Sequence, residues 1–209
     1  MKRLSLAASM LALALGVFGC AEMESMGDWV STKWDSIGGG VTLIDGDKGL
    51  ENWNEVGGAN WSAEDGVIMA DKKTGRTPGY LVSKKSYTDF RLKIEFWVSH
   101  DANSGIFMRC ANPEKITDRS CYEANIFDTR KDQTYATGSI VRHAPVLAPI
   151  KAGGKWNTYE ITAQGPNLVL VLNGVKTAEL SHSQLASGPF ALQYGKGIVK
   201  FRKVQIKEL

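Results

Sequence analysis

Between residues 89 and 128 apolar and polar positions alternate with a period of two. Phe90, Leu92, Ile94, Phe96 and Val98 alternate with Arg91, Lys93, Glu95, Trp97 and Ser99. This is the pattern of a strand with one face on a core and the other in solvent. After the turn His100-Asp101-Ala102-Asn103-Ser104-Gly105, Ile106, Met108 and Cys110 take the core parity, while Phe107 and Arg109 take the other. The pattern returns at YEANIF, with Tyr122, Ala124 and Ile126 inward and Glu123, Asn125 and Phe127 outward. Placed in one sheet, the three strands bring Glu95, Trp97, Phe107, Arg109, Glu123 and Asn125 to one surface.

Further short strands are expected at residues 41–44, 61–63, 67–70, 79–83, 138–142, 156–164, 168–172, 175–179, 190–194 and 198–208. Asp65-Gly66, Thr77-Pro78-Gly79, Gly165-Pro166-Asn167 and Asn173-Gly174 separate them. Asn-Gly between apolar runs is a strong hairpin signal, because both central residues of a type I′ turn need positive φ. Many short strands with almost no 3.6-residue periodicity predict an all-β, two-sheet β-sandwich or jelly roll. The chain of 209 residues suits one such domain, expected at residues 41–209.

The start of the chain has a different composition. Lys2 and Arg3 precede an apolar run to Phe18, then Gly19 and Cys20. About 20 apolar residues are needed to cross a bilayer, so residues 1–19 read as an export signal. VFGC resembles a lipobox, with Cys20 as the acylated first residue of the mature protein; ordinary secretory cleavage near Gly19 is the other reading. With Ala21 rather than aspartate after Cys20, a lipoprotein would face the outer membrane and periplasm. Residues 20–40, ending in three glycines, read as a lipidated tether. The formal net charge is +3, and +1 without Lys2 and Arg3, which offers no clustered cationic surface for nucleic acid. In an exported protein Cys110 and Cys121 are expected to pair and to pin the loop between them.

The outward residues of the three strands mix carboxylates, an arginine and aromatics. Aromatic rings stack on the apolar faces of sugars while charged groups bond hydroxyls, so the surface fits a carbohydrate site; a solvated sheet face alternates in the same way. Several segments decide the direction of the reading: VTLIDGDKGLENW, WSAEDGVIMA, YLVSKKSYTDFRLKIEFWVSHDANSGIFMR, YEANIFD, TGSIV, KWNTYEITAQGPNLVLVLNGVKTAEL and GPFALQYGKGIVKFRKVQIKEL. In this order they resemble the 3-keto-disaccharide hydrolase domain family, with its concanavalin- or laminin-G-like jelly roll. The family usually has glutamine where this chain has Asn125, and often a histidine near the LQ segment, where this chain has Tyr194.

The resemblance implies chemistry on sugars oxidised at carbon 3. The ketone acidifies the hydrogen on carbon 2, a base removes it, the aglycone leaves carbon 1, and water adds to the enone. Such a site needs a base, a cation or metal for the enolate, and an acid near the leaving oxygen. Glu123 is the first choice as base or metal ligand, Arg109 as the enolate's partner, Glu95 as second carboxylate and His100 as acid, base or ligand. Trp97, Asn103, Phe107, Asn125, Asp128, His143 and Gln193 are expected to bind substrate, and His182 to lie on the surface. Neither HExxH nor CxxC occurs, so ligand spacing gives no metal; the resemblance leaves a divalent metal open, and Asp45-Gly46-Asp47 is a weak calcium candidate.

Three functions stand at this point: a cell-envelope enzyme cleaving 3-keto-glycosides made by a separate oxidoreductase, a carbohydrate-binding module without catalysis, and a structural envelope lipoprotein. The carboxylates Glu95 and Glu123 discriminate the first two, because binding needs no shifted pKa.

Overall fold

The computed structural model describes residues 40–209. The expected signal segment, the acylated Cys20 and the tether up to residue 39 lie outside the described residues. Two antiparallel sheets form a β-sandwich of the expected class. The larger sheet has eight strands. Its path runs β11 (Val175–Ser181), β10 (Asn167–Leu172), β9 (Trp156–Gln164), β6 (Phe90–Val98), β13 (Val199–Glu208), β4 (Val67–Ala70) and β3 (Ser62–Glu64), with β1 (Val41–Asp45) also on β13. The smaller has five strands in the order β2 (Trp53–Gly57), β5 (Gly79–Ser83), β12 (Ala191–Tyr194), β7 (Ser104–Met108) and β8 (Tyr122–Ile126).

The inner faces meet in one core. Leu92, Ile94, Phe96, Val199, Phe201, Tyr159 and Leu170 from the large sheet pack with Leu81, Ile106, Met108, Tyr122, Ala124 and Leu192 from the small one. Phe96 and Tyr159 stack with ring centroids 5.5 Å apart. Both Asn-Gly and Asp-Gly turns have the expected backbone: φ is 53° at Asn173 and 80° at Gly174, and 51° at Asp65 and 72° at Gly66.

Three expectations are corrected. Residues 53–57 form β2, whose polar positions Asn54 and Glu55 break the alternation that marks the other strands. Residues 138–142 form isolated bridges through Ile140 to Ala124 and Ala144 rather than a strand. Most consequentially, β6 does not share a sheet with β7 and β8. It pairs along its length with β9 and β13, and the chain crosses to the opposite sheet in the turn before β7. Alternation fixes which face of a strand meets the core, and both sheets of a sandwich satisfy it equally. Burial separates the two cases: on β6 buried and half-buried residues alternate, whereas every residue of β5, β7, β8 and β12 is buried.

Candidate active site

The small sheet is buried on its outer face because loops wall it in and leave a pocket of about 600 Å³. Strand register builds its floor. Val56, Tyr80 and Gln193 stand in one row across β2, β5 and β12, and Ala191, Phe107 and Glu123 in the next across β12, β7 and β8. Tyr80 meets Phe107 edge to face, with centroids 5.5 Å apart. Glu114, Lys115, Ile116, Thr117 and Asp118 form one wall, and Asn103, Phe127, Arg130, Thr77 and Pro78 complete the lining.

The wall between residues 111 and 120 is tied down at both ends. Cys110 and Cys121 form the expected disulfide. Both pack with Ile116 against Tyr80, Val82, Phe107 and Ala191, a small apolar cluster on the outer side of the sheet. The bridge therefore holds a wall of the pocket.

Glu123 projects from the middle of β8 into this pocket with 9% of its surface exposed. Burial, reinforced by the negative Asp118 and opposed by Arg130, pushes its carboxyl up to about 8. A carboxyl with such a value is a proton acceptor matched to near-neutral solution. Gln193 is 7% exposed and donates through Nε2 to Tyr80 Oη at 3.3 Å. Burial raises the Tyr80 hydroxyl, the Gln193 bond opposes this, and Glu123 and Asp118 add to the rise, so Tyr80 stays neutral.

Of the residues expected at the site, Glu123, Phe107, Asn103 and Gln193 line the pocket. Glu95 and Trp97 do not: they stand on the outer face of the large sheet. There Arg202 Nε bonds Glu95 Oε2 at 2.6 Å, and Lys200 Nζ lies 5.4 Å from the centre of the Trp97 ring. Arg109 is also displaced. β7 ends at Met108, and Arg109 adopts φ 51°, a left-handed conformation uncommon for a non-glycine residue. This breaks the alternation and turns the guanidinium inward, where it is 1% exposed. Its donors meet the carbonyls of Thr88 at 2.6 and 2.9 Å, Gly165 at 2.7 Å and Leu185 at 3.4 Å, and Asp89 Oδ1 at 3.1 Å. Arg109 joins chain segments rather than facing a ligand.

The remaining expected residues are occupied elsewhere. Asn125 Nδ2 donates to the Tyr135 carbonyl at 2.5 Å. The Asp128 carboxylate accepts from Ala152 N and Gly153 N, both at 2.9 Å, and from Thr137 Oγ1 at 2.6 Å. It fastens a loop. His100 is exposed and lies against that loop: a Cβ at Gly154 would come within 2.7 Å of its Nε2. His143 is packed on Tyr122 and on His182, the residue expected at the plain surface, with ring centroids 5.2 and 5.0 Å away. Burial, His182 and Arg142 hold His143 below its ordinary value.

Comparison with known proteins now bears on this geometry. The model of the 3-keto-alpha-glucoside-1,2-lyase-like domain matches residues 39–207. The chain belongs to this family. No curated protein matches it significantly. Two candidate glycosyl hydrolases of Parabacteroides distasonis have similar structures. One is 24% identical with a TM-score of 0.67 and covers 82% of this chain and 100% of its own. The other is 19% identical with a TM-score of 0.69 and covers 82% and 94%. The carbohydrate-binding module CBM66 of Bacillus subtilis is 17% identical with a TM-score of 0.59, covering 75% of this chain and 96% of its own. At these identities the likeness shows a shared jelly-roll fold.

Asn125 and Tyr194, which the resemblance marks as departures from the family pattern, lie outside the pocket lining. Asn125 is bonded to the Tyr135 carbonyl, and Tyr194 packs in the core, 3% exposed. The fit to a divalent metal is poor. Among the described residues no three His, Cys, Asp or Glu side chains converge as ligands. The pocket's other carboxylates, Glu114 and Asp118, belong to the loop wall rather than the floor beside Glu123. Tyr80, Asp118 and Arg130 were missed by the sequence reading. The outward parity of Tyr80 was available within GYLVS, but the two charged residues arrive from loops, where no periodicity points to a direction.

Proposed function

We propose that this family member cleaves glycosides already oxidised to a ketone at carbon 3, with Glu123 as the base. The observation that carries the reading is a buried carboxyl, without a hydrogen-bonding partner among the described residues, on the floor of a walled pocket and poised near pH 8. In this reading the carbon 2 proton passes to Glu123, and the electron pair left behind spreads onto the carbon 3 oxygen. Collapse of that enolate breaks the bond from carbon 1 to the aglycone oxygen, which takes a proton. Water then adds its oxygen to carbon 1 of the enone and carbon 2 regains a proton, so one water is consumed overall. The enolate partner first sought in Arg109 becomes a pocket cation, Lys115 or Arg130, both in the lining.

The test is release of aglycone from a 3-keto-glycoside by the wild-type protein and by Glu123→Gln. Loss of turnover in the folded variant supports the assignment, and full turnover removes it. A second reading, a carbohydrate-binding module without catalysis, is favoured by the aromatic pair Tyr80 and Phe107 on the floor and by the fold shared with CBM66. It wins if the wild-type protein binds sugars and never turns over a 3-keto-glycoside. Location in the cell envelope through acylated Cys20 is part of the same proposal. Cys20→Ser should leave the protein folded and free of membranes, and a wild-type chain without acyl groups removes the anchor from the reading.

A further inference from the structure

The amide of Gln193 is half satisfied. Tyr80 holds Nε2, while Oε1 is buried and has no partner. Leaving an acceptor dry and unbonded costs roughly 1–3 kcal/mol, a cost that disappears when a ligand supplies a donor. Gln193 is more than nine-tenths buried and lines the pocket, so a ligand that fills the pocket is the nearest source of the missing donor.

A second observation lies next to it. Leu192 pairs with Ile106 on β7, so the next positions along the two strands are Gln193 and Gly105. A Cβ at Gly105 would sit 3.0 Å from Glu123 Oε1 and 3.2 Å from its Cγ. Gly105 is not among the glycines of positive φ; its bare backbone therefore serves space rather than conformation. The result is a notch, with Glu123 leaning over Gly105 from β8 and Gln193 standing on the β12 side.

We propose that Gln193 selects the sugar: its free Oε1 accepts a hydrogen bond from a ring hydroxyl, and this bond holds the ring against Glu123. The inference deepens the proposed function and rests on the pocket being a sugar site. Tyr80 is a positioning residue, because its bond to Nε2 holds the amide in place on the floor. Gly105 makes room for Glu123, since a side chain there would press on its carboxyl and move the group against which every sugar is held.

The experiment uses the full exported protein and two probe sets. Methyl α-glucoside with its 4-deoxy, 6-deoxy and corresponding deoxyfluoro analogues gives affinities by calorimetry, because without a ketone none is consumed. Methyl 3-keto-α-glucoside and the same analogues give kcat and KM. For one position the wild-type protein should lose roughly 10- to 100-fold in affinity with the deoxy sugar. It should lose as much with the deoxyfluoro sugar, since fluorine cannot donate. Gln193→Leu should bind the parent sugar that much more weakly and show no further loss with that analogue. Tyr80→Phe should lose less, and Gly105→Ala should weaken all the sugars alike. A Gln193→Leu protein that still discriminates the deoxy sugars as the wild type does overturns the proposal while leaving the sugar site intact. Sugar binding and this discrimination without turnover would sink the catalytic reading alone. Wild-type protein that binds none of the probes overturns both.

Discussion

The outer face of the large sheet presents Glu95, Trp97, Trp156, Lys200 and Arg202; the outer face of the small sheet presents Glu123, Phe107, Tyr80 and Gln193. By residue type the two are nearly equivalent candidates. On the large sheet the charges and rings satisfy one another: Arg202 bonds Glu95 and also lies 4.3 Å from the centre of the Trp156 ring, while Lys200 covers Trp97. Solvent reaches all of them. On the small sheet, loops bury most of Glu123 and Gln193, leaving among the described residues a carboxyl without a hydrogen bond and a buried amide oxygen without a donor. A site is thus distinguished by unmet chemistry in a buried place, rather than by having carboxylates and aromatics side by side.

The comparison is tested most severely at its two glutamates. Glu123→Gln should lower turnover of a 3-keto-glycoside by about a hundredfold to ten-thousandfold, the usual cost of losing a general base, whereas Glu95→Gln should leave it unchanged. Steady-state assays of both variants check this, and equal losses would erase the distinction between the faces. Arg109→Met should act on folding instead. It orphans the carbonyls of Thr88, Gly165 and Leu185 and the Asp89 carboxylate, and should cost about 3–5 kcal/mol in urea unfolding. A stable variant with lost turnover would return Arg109 to the site.

The buried Glu123 also makes stability depend on pH. Its carboxyl rises from an ordinary value of 4.5 to about 8 on folding. Between those values the folded chain keeps a proton that the unfolded chain has released, so stability falls as pH rises through this window. Glu123→Gln should remove that slope and gain on the wild type by about 4 kcal/mol between pH 5 and pH 9, measured by denaturant melts. The same ionisation should make wild-type kcat/KM climb through about pH 8, where the base form appears. Removing the disulfide by Cys110→Ala with Cys121→Ala should cost at most about 3 kcal/mol, the chain-entropy value for so short a loop. It should also weaken sugar binding, because the freed loop is a wall of the pocket; unchanged affinity would show that the wall needs no pin. The smallest effect belongs to the exposed face. Trp97→Ala should cost about 0.5–1 kcal/mol from the lost contact with Lys200, without changing sugar affinity.

Much of this molecule was legible in its sequence. The alternation of Phe90 to Val98, the Asn173-Gly174 turn and the pairing of Cys110 with Cys121 all depend on residues near in sequence or on simple chemistry. So did the direction of Glu123, since period-two parity determines which way a strand residue points. Parity could not say which sheet β6 enters, because a core-facing stripe satisfies either side of a sandwich. It failed at Arg109, where a left-handed residue ends the strand and redirects the side chain. Nor could it show that loops bury the outer face of β7 and β8, since their paths follow contacts distant along the chain. The sequence by itself determined strand faces, turns, disulfide and family. Only the tertiary structure decided which carboxylate is buried in a pocket, and burial rather than residue type is what raises the Glu123 carboxyl toward neutral pH.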